Sequence, residues 1–221
     1  MFSRTKQLIG SDFQKLADCN IIIFGIGGVG GYTAEMLIRS GVGRLTIVDY
    51  DVVDVTNKNR QIIALNSTIG KYKVDVMADR LKDINPDALI VKKNCKLTPD
   101  NILEFELEQY DYIIDAIDMV SSKVALIEYA YNNHLNIVSA MGAGNRVCIP
   151  EFEVADIYST CNDGLAKVLR RELRKRNIMS HKVVYTKNIA TPTGDTIGSI
   201  AYYPAMCGCV LSAFVINELI K

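Results

Sequence analysis

The sequence predicts a doubly wound α/β fold, in which a mostly parallel sheet carries helices on both faces and a strand-helix extension follows at the C-terminal end. Over the first two thirds of the chain, short continuous apolar runs alternate with segments of helical periodicity, as in a parallel sheet covered on both faces. With 221 residues, 49% hydrophobic and 23% charged, the composition excludes disordered and fibrous architectures. We expect a single domain spanning residues 1–221.

The predicted elements follow one another in a simple order. A nucleotide-binding core spans about residues 19–145, and we expect its strands at 21–24, 45–49, 88–91, 112–116 and 136–140. We expect its helices from about 30 to Gly41, from about 74 to Asn85-Pro86, and from near Pro99 and Ser121.

The pattern changes after about residue 146, where a substrate-side extension of residues 146–221 begins. It contains a polar loop at 160–164, a basic helix at 165–176, a strand at 199–203 and a helix at 205–220. The uncharged segment 196–217 has the length of a membrane span, but Pro204 interrupts it. A strand followed by a buried helix is therefore favoured, and no stable membrane insertion is expected.

The charge balance and the cysteines indicate which partners and which cellular compartment to expect. Lys plus Arg and Asp plus Glu both number 25, so no overall field favours nucleic acid or membrane. The six cysteines have no regular spacing, and the first residues lack the apolar stretch of a secretory signal. We expect a reduced, cytoplasmic chain.

A glycine-rich motif predicts a Rossmann-like nucleotide site. Gly25-Ile-Gly27-Gly28-Val-Gly30 fits G-x-G-x-x-G between a strand and a helix, where a phosphate can approach the backbone at the helix N-terminus. Asp49 ends the second strand, 19 residues after Gly30, where a carboxylate can accept from ribose hydroxyls. The alternative is that the glycines serve only a tight turn.

The polar residues beyond Asp49 favour ATP over a nicotinamide cofactor. Attack on the α-phosphate of ATP builds negative charge on the leaving pyrophosphate and needs cations beside it, whereas a dehydrogenase does not. We therefore predict that Arg60 and Lys73 are catalytic, although each alone could be a solvated charge. Their polar neighbours are Asp51, Asn57, Asn59 and Gln61.

Asp118 is the predicted magnesium ligand. It follows the fourth strand of the core in Asp115-Ala-Ile-Asp118, at the sheet edge where a hard cation bridging phosphates would lie. Its alternative role is that of a helix N-cap before Ser121.

Longer motifs resemble the ubiquitin-activating-enzyme-like adenylating superfamily, the ThiF–MoeB–HesA group. Besides the glycine motif they are Ser40-Gly-Val-Gly-Arg44, Asp49-Tyr-Asp51, Thr56-Asn-Lys-Asn-Arg-Gln61, Gly70-Lys-Tyr-Lys73 and Asp115-Ala-Ile-Asp118. Other segments resemble its tRNA threonylcarbamoyladenosine dehydratase branch: Phe2-Ser-Arg-Thr5, Asp83-Ile-Asn-Pro86, Met141-Gly-Ala-Gly144, Val154-Ala-Asp-Ile157 and 165–173.

The resemblance implies an activity and a set of ligand contacts. ATP would adenylate the threonyl carboxylate of the modified adenosine beside the tRNA anticodon, and a carbamoyl atom would then close a ring with release of AMP. Gly25, Gly27 and Gly30 would hold the phosphates, Asp49 the ribose, and Asn59, Arg60 and Lys73 the polyphosphate. Gly28, Asp51 and Gln61 complete the expected ATP site, Asp118 would bind Mg²⁺, and Arg4 would reach a nucleotide, in a partner subunit if the protein is a homodimer.

The basic helix predicts a surface for tRNA, although a solvated helix face is the alternative. It concentrates positive charge that the balanced composition conceals, and Leu165, Val168, Leu169 and Leu173 provide an apolar face for docking. Its predicted tRNA-binding residues are Lys167, Arg170, Arg171, Arg174, Lys175 and Arg176.

Two other functions stay open. An adenylyltransferase could activate the C-terminus of a sulfur-carrier or ubiquitin-like protein, but the paired C-x-x-C motifs for zinc are missing and no zinc is expected. A nicotinamide-binding protein would bind NAD without hydrolysing ATP. Cys161 lies in the polar loop where thioester-forming relatives place a nucleophile, yet no base is near it in sequence, so we expect it to be dispensable. A sulfur-relay protein is a further candidate partner.

Overall fold

The computed structural model describes residues 1–191, 194 and 196–221. Its strands are β1 (Asn20–Phe24), β2 (Arg44–Val48), β3 (Leu89–Lys93), β4 (Tyr112–Asp115), β5 (Ile137–Ala140), β6 (Phe152–Asp156) and β7 (Lys182–Thr186). Its α-helices are α1 (Ser3–Ile9), α2 (Phe13–Asp18), α3 (Gly30–Ser40), α4 (Lys73–Ile84), α5 (Val120–Asn132), α6 (Gly164–Arg174) and α7 (Tyr202–Leu219).

The described strands form one sheet in the order β3-β2-β1-β4-β5-β7-β6. Every neighbouring pair is parallel except β6 and β7, which are antiparallel at one edge. The doubly wound, mostly parallel fold predicted from the sequence is confirmed. Because β7 pairs directly with β5, the segment after residue 146 continues the sheet of the core.

Helices cover both faces of the sheet, and the alternation along β1 shows how the core is divided. Ile21 and Ile23 pack with residues of α3, α4 and α7 on one face. Ile22 and Phe24 face the other side, where α5 and the short 3₁₀ turns before β4 cover the sheet. Both sets are buried, which explains why the strand reads as a continuous apolar run.

The strand order reverses direction between β1 and β4, and this reversal creates the crevice that holds the site. From β1 the chain winds outward through β2 to β3, and it then returns to β4 on the opposite side of β1. In doubly wound sheets, ligands bind at this switch point, outside the carboxyl ends of the strands. The glycine motif follows β1 and Asp118 follows β4, so both lie at this edge.

Several predicted elements differ from the structure. The expected strand at 199–203 is wrong: the helix α7 begins at Tyr202, because Pro204 lies in its first turn, where a missing N–H costs no hydrogen bond. The strands of the extension are instead β6 and β7. The helix expected from Pro99 is a 3₁₀ helix, Pro99–Phe105.

Candidate functional site

A cavity of about 800 Å³ lies at the switch point of the sheet. It extends from the carboxyl ends of β1 and β2 to the loop after β5 and to the start of α6. Most of the predicted nucleotide site lines it: Gly25, Gly27, Gly28, Asp49, Asp51, Arg60, Gln61, Lys73 and Asp118. The sequence motifs, which are far apart in the chain, therefore converge on one cavity.

The glycine loop is tightly packed at its two ends and open in the middle. Gly25 has φ +89°, and a Cβ there would lie 2.7 Å from Ala116 O. A Cβ on Gly30 would lie 1.8 Å from Gly25 O, so this position admits only glycine. A Cβ on Gly27 would meet only Gln61 Nε2, at 3.8 Å, which leaves the backbone at Gly27 accessible from the cavity.

Asp49 joins the end of β2 to the glycine loop. Its Oδ2 accepts a hydrogen bond from the Ile26 N–H at 2.7 Å, and its Oδ1 accepts from the Asp51 N–H at 2.8 Å. Burial raises the pKa of the Asp49 carboxyl, and the nearby charge of Lys73 and the two amide donors oppose that rise. The carboxylate is only 9% exposed and faces the cavity, where its remaining lone pairs can accept from hydroxyl groups.

The cationic wall consists of Lys73 and Arg60. Lys73 is the first residue of α4 and is 5% exposed, and its Nζ lies 2.7 Å from Asp51 Oδ2. Arg60 donates from Nη1 to Thr56 O at 3.0 Å and to Asn59 Oδ1 at 2.8 Å. Both cations are thus held in place by neighbours on the wall that they share.

Gln61 presents an unsatisfied atom at the same wall. Its side chain is buried, and Gln61 Oε1 has no hydrogen-bond partner among the described residues. A buried acceptor is costly unless water or a ligand donates to it, so Gln61 Oε1 is available to accept a hydrogen bond from a polar ligand at this wall.

Three residues predicted for ATP do not line the cavity. Gly30 lies beneath the loop, as its contact with Gly25 shows. Asn59 is exposed and donates to Ser199 O at 3.0 Å, so it supports Arg60 and the segment before α7. Arg4 is exposed on α1. A role for Arg4 at a neighbouring copy's nucleotide stays a prediction.

Asp118 is a free carboxylate at the mouth of the cavity. It is exposed and forms no hydrogen bond or ion pair with another residue of the described ranges. The N-cap position of α5 belongs to Met119, without a side-chain cap, so the alternative role as an N-cap is wrong. The described residues contain no group of three His, Cys, Asp or Glu able to hold a metal.

The opposite end of the cavity was missed by the sequence reasoning. Arg146 donates from Nη1 to Gly142 O and Gly144 O, and from Nη2 to Asn162 O, all at 3.0 Å. Asp163, the N-cap of α6, accepts from the Gly142 N–H at 3.0 Å. The sequence did show that Arg146 follows a glycine-rich segment. Only the fold shows that the N–H groups of its side chain hold that segment in place.

The basic helix α6 starts at the cavity, which Gly164 and Leu165 line. Much of its charge is paired locally: hydrogen bonds from Lys175, Arg176 and Arg171 lower the pKa of Glu172 to about 2. Its other arginines also have partners, because Arg170 Nη1 donates to Thr160 O at 3.1 Å and Arg174 lies 5.1 Å from the Tyr158 ring centroid. The surface of this helix is therefore positive, but it carries less unpaired charge than its number of Lys and Arg residues indicates.

Two further predictions concern the extension. Cys161 is exposed in the loop before α6 and is not disulfide-bonded. The uncharged segment forms most of α7 and the loop before it, and among the described residues no helix has both the length and the apolarity to span a membrane.

The fold and this cavity define a nucleotide-binding α/β protein with cations and carboxylates beside its phosphate loop. The chain belongs to the ThiF family, whose sequence profile matches residues 2–220. Among individual proteins, it is 34% identical to the tRNA threonylcarbamoyladenosine dehydratase of Bacillus subtilis, over 100% of this chain and 94% of that protein.

Two Escherichia coli comparisons agree. The tRNA threonylcarbamoyladenosine dehydratase of strain K12 is 42% identical over 78% of this chain and 65% of that protein. The crystal structure of the E. coli enzyme TcdA in complex with ATP superposes with a TM-score of 0.93 at 35% identity, covering 99% of this chain and 93% of that one. The resemblance to the tRNA threonylcarbamoyladenosine dehydratases is confirmed. By contrast, the adenylyltransferase and sulfurtransferase MOCS3 of Culex quinquefasciatus matches over only 51% of the chain and 25% of its own length.

Proposed function

We propose that this protein is an ATP-dependent tRNA threonylcarbamoyladenosine dehydratase that closes a ring in the modified adenosine after adenylating its carboxylate. The observation that carries the proposal is the single cavity in which an open glycine loop, a cationic wall and a free carboxylate face one another. The relatives named above act on this class of substrate according to their names, and one was solved with ATP bound.

The cavity supports an assignment for the phosphates and the ribose of ATP. The α- and β-phosphates lie against the exposed backbone at Gly27 and the N-terminus of α3, where free N–H groups and the helix dipole attract anions. The ribose hydroxyls donate to Asp49. Arg60 and Lys73 face the polyphosphate from the wall beyond Asp51.

The first chemical step is a substitution at phosphorus. A carboxylate oxygen of the threonyl group bonds to the α-phosphorus, and the bond from that phosphorus to the bridging oxygen of pyrophosphate breaks. Negative charge moves onto the pyrophosphate, so the fixed charges of Arg60 and Lys73 stabilise the transition state more than the ground state. Because both side chains are already held by hydrogen bonds, little reorganisation is needed during the reaction.

Mg²⁺ fits the mouth of the cavity, where Asp118 is the residue that would hold it. Four aspartates and four basic residues line the cavity, so a triphosphate meets no surplus of protein cations. Mg²⁺ is commonly bound by one or two carboxylates together with substrate phosphates, which matches a single free carboxylate better than a cage. When bound, the ion would neutralise phosphate charge.

The second step takes place beside the same α-phosphate, with the modified nucleoside extending toward the far end of the cavity. A carbamoyl atom attacks the acyl carbon, the bond to AMP breaks, and a ring closes, so that water is lost overall while ATP becomes AMP and pyrophosphate. The loops that Arg146 and Asp163 hold together would surround the modified nucleoside and exclude water, which would otherwise hydrolyse the acyl-adenylate.

Assembly and location follow from the same proposal. We expect tRNA to lie along α6, a homodimer in which Arg4 reaches the partner's nucleotide, and a cytoplasmic location, with a sulfur-relay protein as a further candidate partner. The basic residues of α6 that are not paired with Glu172 support the first of these.

Incubation with ATP, Mg²⁺ and tRNA carrying threonylcarbamoyladenosine tests the function. Mass spectrometry of the digested nucleosides should show a product lighter by one water, with AMP formed in equal amount. Unmodified tRNA is the control. Absence of product, with pyrophosphate exchange stimulated instead by a sulfur-carrier protein, would refute the proposal and support the adenylyltransferase alternative.

A further inference from the structure

A buried polar network lies directly beneath the cavity and takes no part in the chemistry proposed above. It contains Asp115 at the end of β4, Lys123 on α5, Ser139 on β5 and His181 just before β7. The side chains of Lys123 and Asp115 are 0% exposed, and Ser139 is also completely buried.

The hydrogen bonds of the network have a defined direction. Lys123 Nζ donates to Asp115 Oδ2 at 2.7 Å, and the Ser139 hydroxyl donates to the same oxygen at 2.6 Å. Since Ser139 has used its only proton, it accepts from His181 Nε2, which lies 2.8 Å from its Oγ. Burial, and secondarily the charge of Lys123, lower the pKa of His181 to about 3, so the imidazole is neutral and Nε2 carries the proton.

Stability alone does not account for this arrangement. A buried ion pair loses the solvation of both charges, and apolar residues of similar volume often do as well or better. The buried surface of α5 begins with the polar residues Ser122 and Lys123 and continues with the apolar residues Val124, Leu126, Ile127 and Ala130, so Lys123 is the charged residue on a mainly apolar surface. What the charged pair provides, and apolar packing does not, is directional hydrogen bonding to the backbone.

The network fixes two loops that leave the neighbouring strands β4 and β5 and line the cavity. Asp115 Oδ1 accepts from the Ile117 N–H at 3.1 Å, which sets the backbone just before Asp118. Lys123 Nζ donates to Ala140 O at 3.1 Å, immediately before Met141 and Gly142. One carboxylate and one ammonium group therefore hold the first residues of both loops, one of which leads to Asp118 and the other to the 141–146 segment.

We infer that Asp115, Lys123, Ser139 and His181 are positioning residues that set the distance between the Asp118 loop and the 141–146 loop. The inference rests on the proposed function, because the two loops carry the two reactants of the adenylation step. The carboxylate must approach the α-phosphorus in line, and a displacement of about 1 Å in such a site can lower the rate by about 10²-fold. Binding of ATP depends on the glycine loop, Asp49 and the cationic wall, with which the network forms no hydrogen bond; the network reaches the nucleotide side through the backbone before Asp118.

Two variants and a matched control test the inference. Ser139→Ala removes one donor to Asp115 with little change in volume, whereas Lys123→Met removes the ion pair. Glu35→Gln is the control, because Glu35 is 4% exposed and accepts from Arg39 and Arg80 between α3 and α4, away from the cavity. The measurements are kcat and KM for ATP in AMP formation, together with backbone hydrogen exchange at 116–119 and 141–146.

For Ser139→Ala we expect kcat to fall about tenfold, the effect of one hydrogen bond to a charged group. For Lys123→Met we expect a fall of about 10²-fold, as for loss of alignment. In both variants KM for ATP should stay within about twofold, and backbone hydrogen exchange should accelerate in both loops. In Glu35→Gln, kcat and loop exchange should both stay at the wild-type values. If Lys123→Met does not fold, Ser139→Ala decides the result.

Wild-type kcat and exchange in folded Ser139→Ala would overturn the inference. An equal loss of kcat in Glu35→Gln would also overturn it, since the effect would then be a general consequence of destabilisation. Failure of the proposed function is distinguishable, because the wild-type protein would then form no AMP with modified tRNA, whereas loop exchange in Ser139→Ala would still test the network.

Discussion

The two glycines Gly27 and Gly30, three residues apart, should respond to alanine in opposite ways. Both fit the same phosphate-binding motif, yet a Cβ on Gly30 would lie 1.8 Å from Gly25 O, while a Cβ on Gly27 meets nothing closer than Gln61 Nε2 at 3.8 Å. Gly30→Ala is therefore a packing change and Gly27→Ala a ligand-binding change. The pair separates the structural part of the motif from its chemical part.

The magnitudes follow from these distances. The atom facing Gly30 is backbone and cannot rotate away, so the turn between β1 and α3 must open, at an overpacking cost of about 1–3 kcal/mol. For a chain of this length that corresponds to a fall in Tm of about 2–12 °C. Gly27→Ala should leave Tm unchanged, but its methyl group occupies the approach to the phosphates. Loss of one hydrogen bond to a charged group, about 1.5–3 kcal/mol, raises the Kd for ATP by about 10- to 100-fold.

Thermal unfolding without nucleotide and calorimetric titration with ATP measure the two quantities independently. A ligand stabilises the folded state in proportion to the logarithm of its concentration over Kd, so ATP should raise the Tm of wild type but hardly that of Gly27→Ala. Wild-type ATP affinity in Gly27→Ala would show that phosphate does not lie on the open side of the loop. A wild-type Tm in Gly30→Ala would refute the packing argument.

Four further changes test the remaining roles. Asp118→Asn should lower AMP formation steeply at ordinary Mg²⁺ with the fold intact, and wild-type turnover would exclude Asp118 as the metal ligand. Lys73→Ala should lower kcat by about 10²-fold or more, whereas a higher KM with unchanged kcat would make it a ground-state binder. Reversing the charge of Lys167 and Arg174 should weaken tRNA binding and flatten its salt dependence, by about one unit of slope per lost phosphate contact, without affecting ATP. Cys161→Ser should retain dehydration within a few fold, because the attacking atom is already tethered to the adenylate; adenylate without product would show an acyl-sulfur intermediate.

The sequence predicted the nucleotide half of the fold well because local signals there agree with the tertiary structure. β1 is buried on both faces and so reads as an unbroken apolar run, and the glycine motif directly follows it. The carboxyl ends of parallel strands meet at one edge, which is why Asp49 and Asp118 could be placed at one site without coordinates.

The extension was predicted less well, for reasons visible in particular residues. Strand β6 is only partly buried at the edge of the sheet, so it lacks the apolar run that marks the core strands. Pro204 appeared to end a strand, but it lies in the first turn of α7. Gly208 lies inside α7, where a Cβ would lie 2.5 Å from Val29 O, so it serves the packing of α7 on α3. That contact depends on a distant segment and leaves no local signal.

The extension also links the surface proposed to bind tRNA to the cavity proposed to carry out the reaction. Helix α6 carries the basic surface, and its N-cap Asp163 accepts from the Gly142 N–H at the far end of the cavity. Arg170 on the same helix donates to Thr160 O in the loop before it. If tRNA binds α6 as proposed, we expect the same helix that holds the tRNA to position the end of the cavity where the modified nucleoside enters. Since α6 rises about 1.5 Å per residue, Arg174 lies about 15 Å from Gly164, so we expect phosphate contacts within about 15 Å of the cavity.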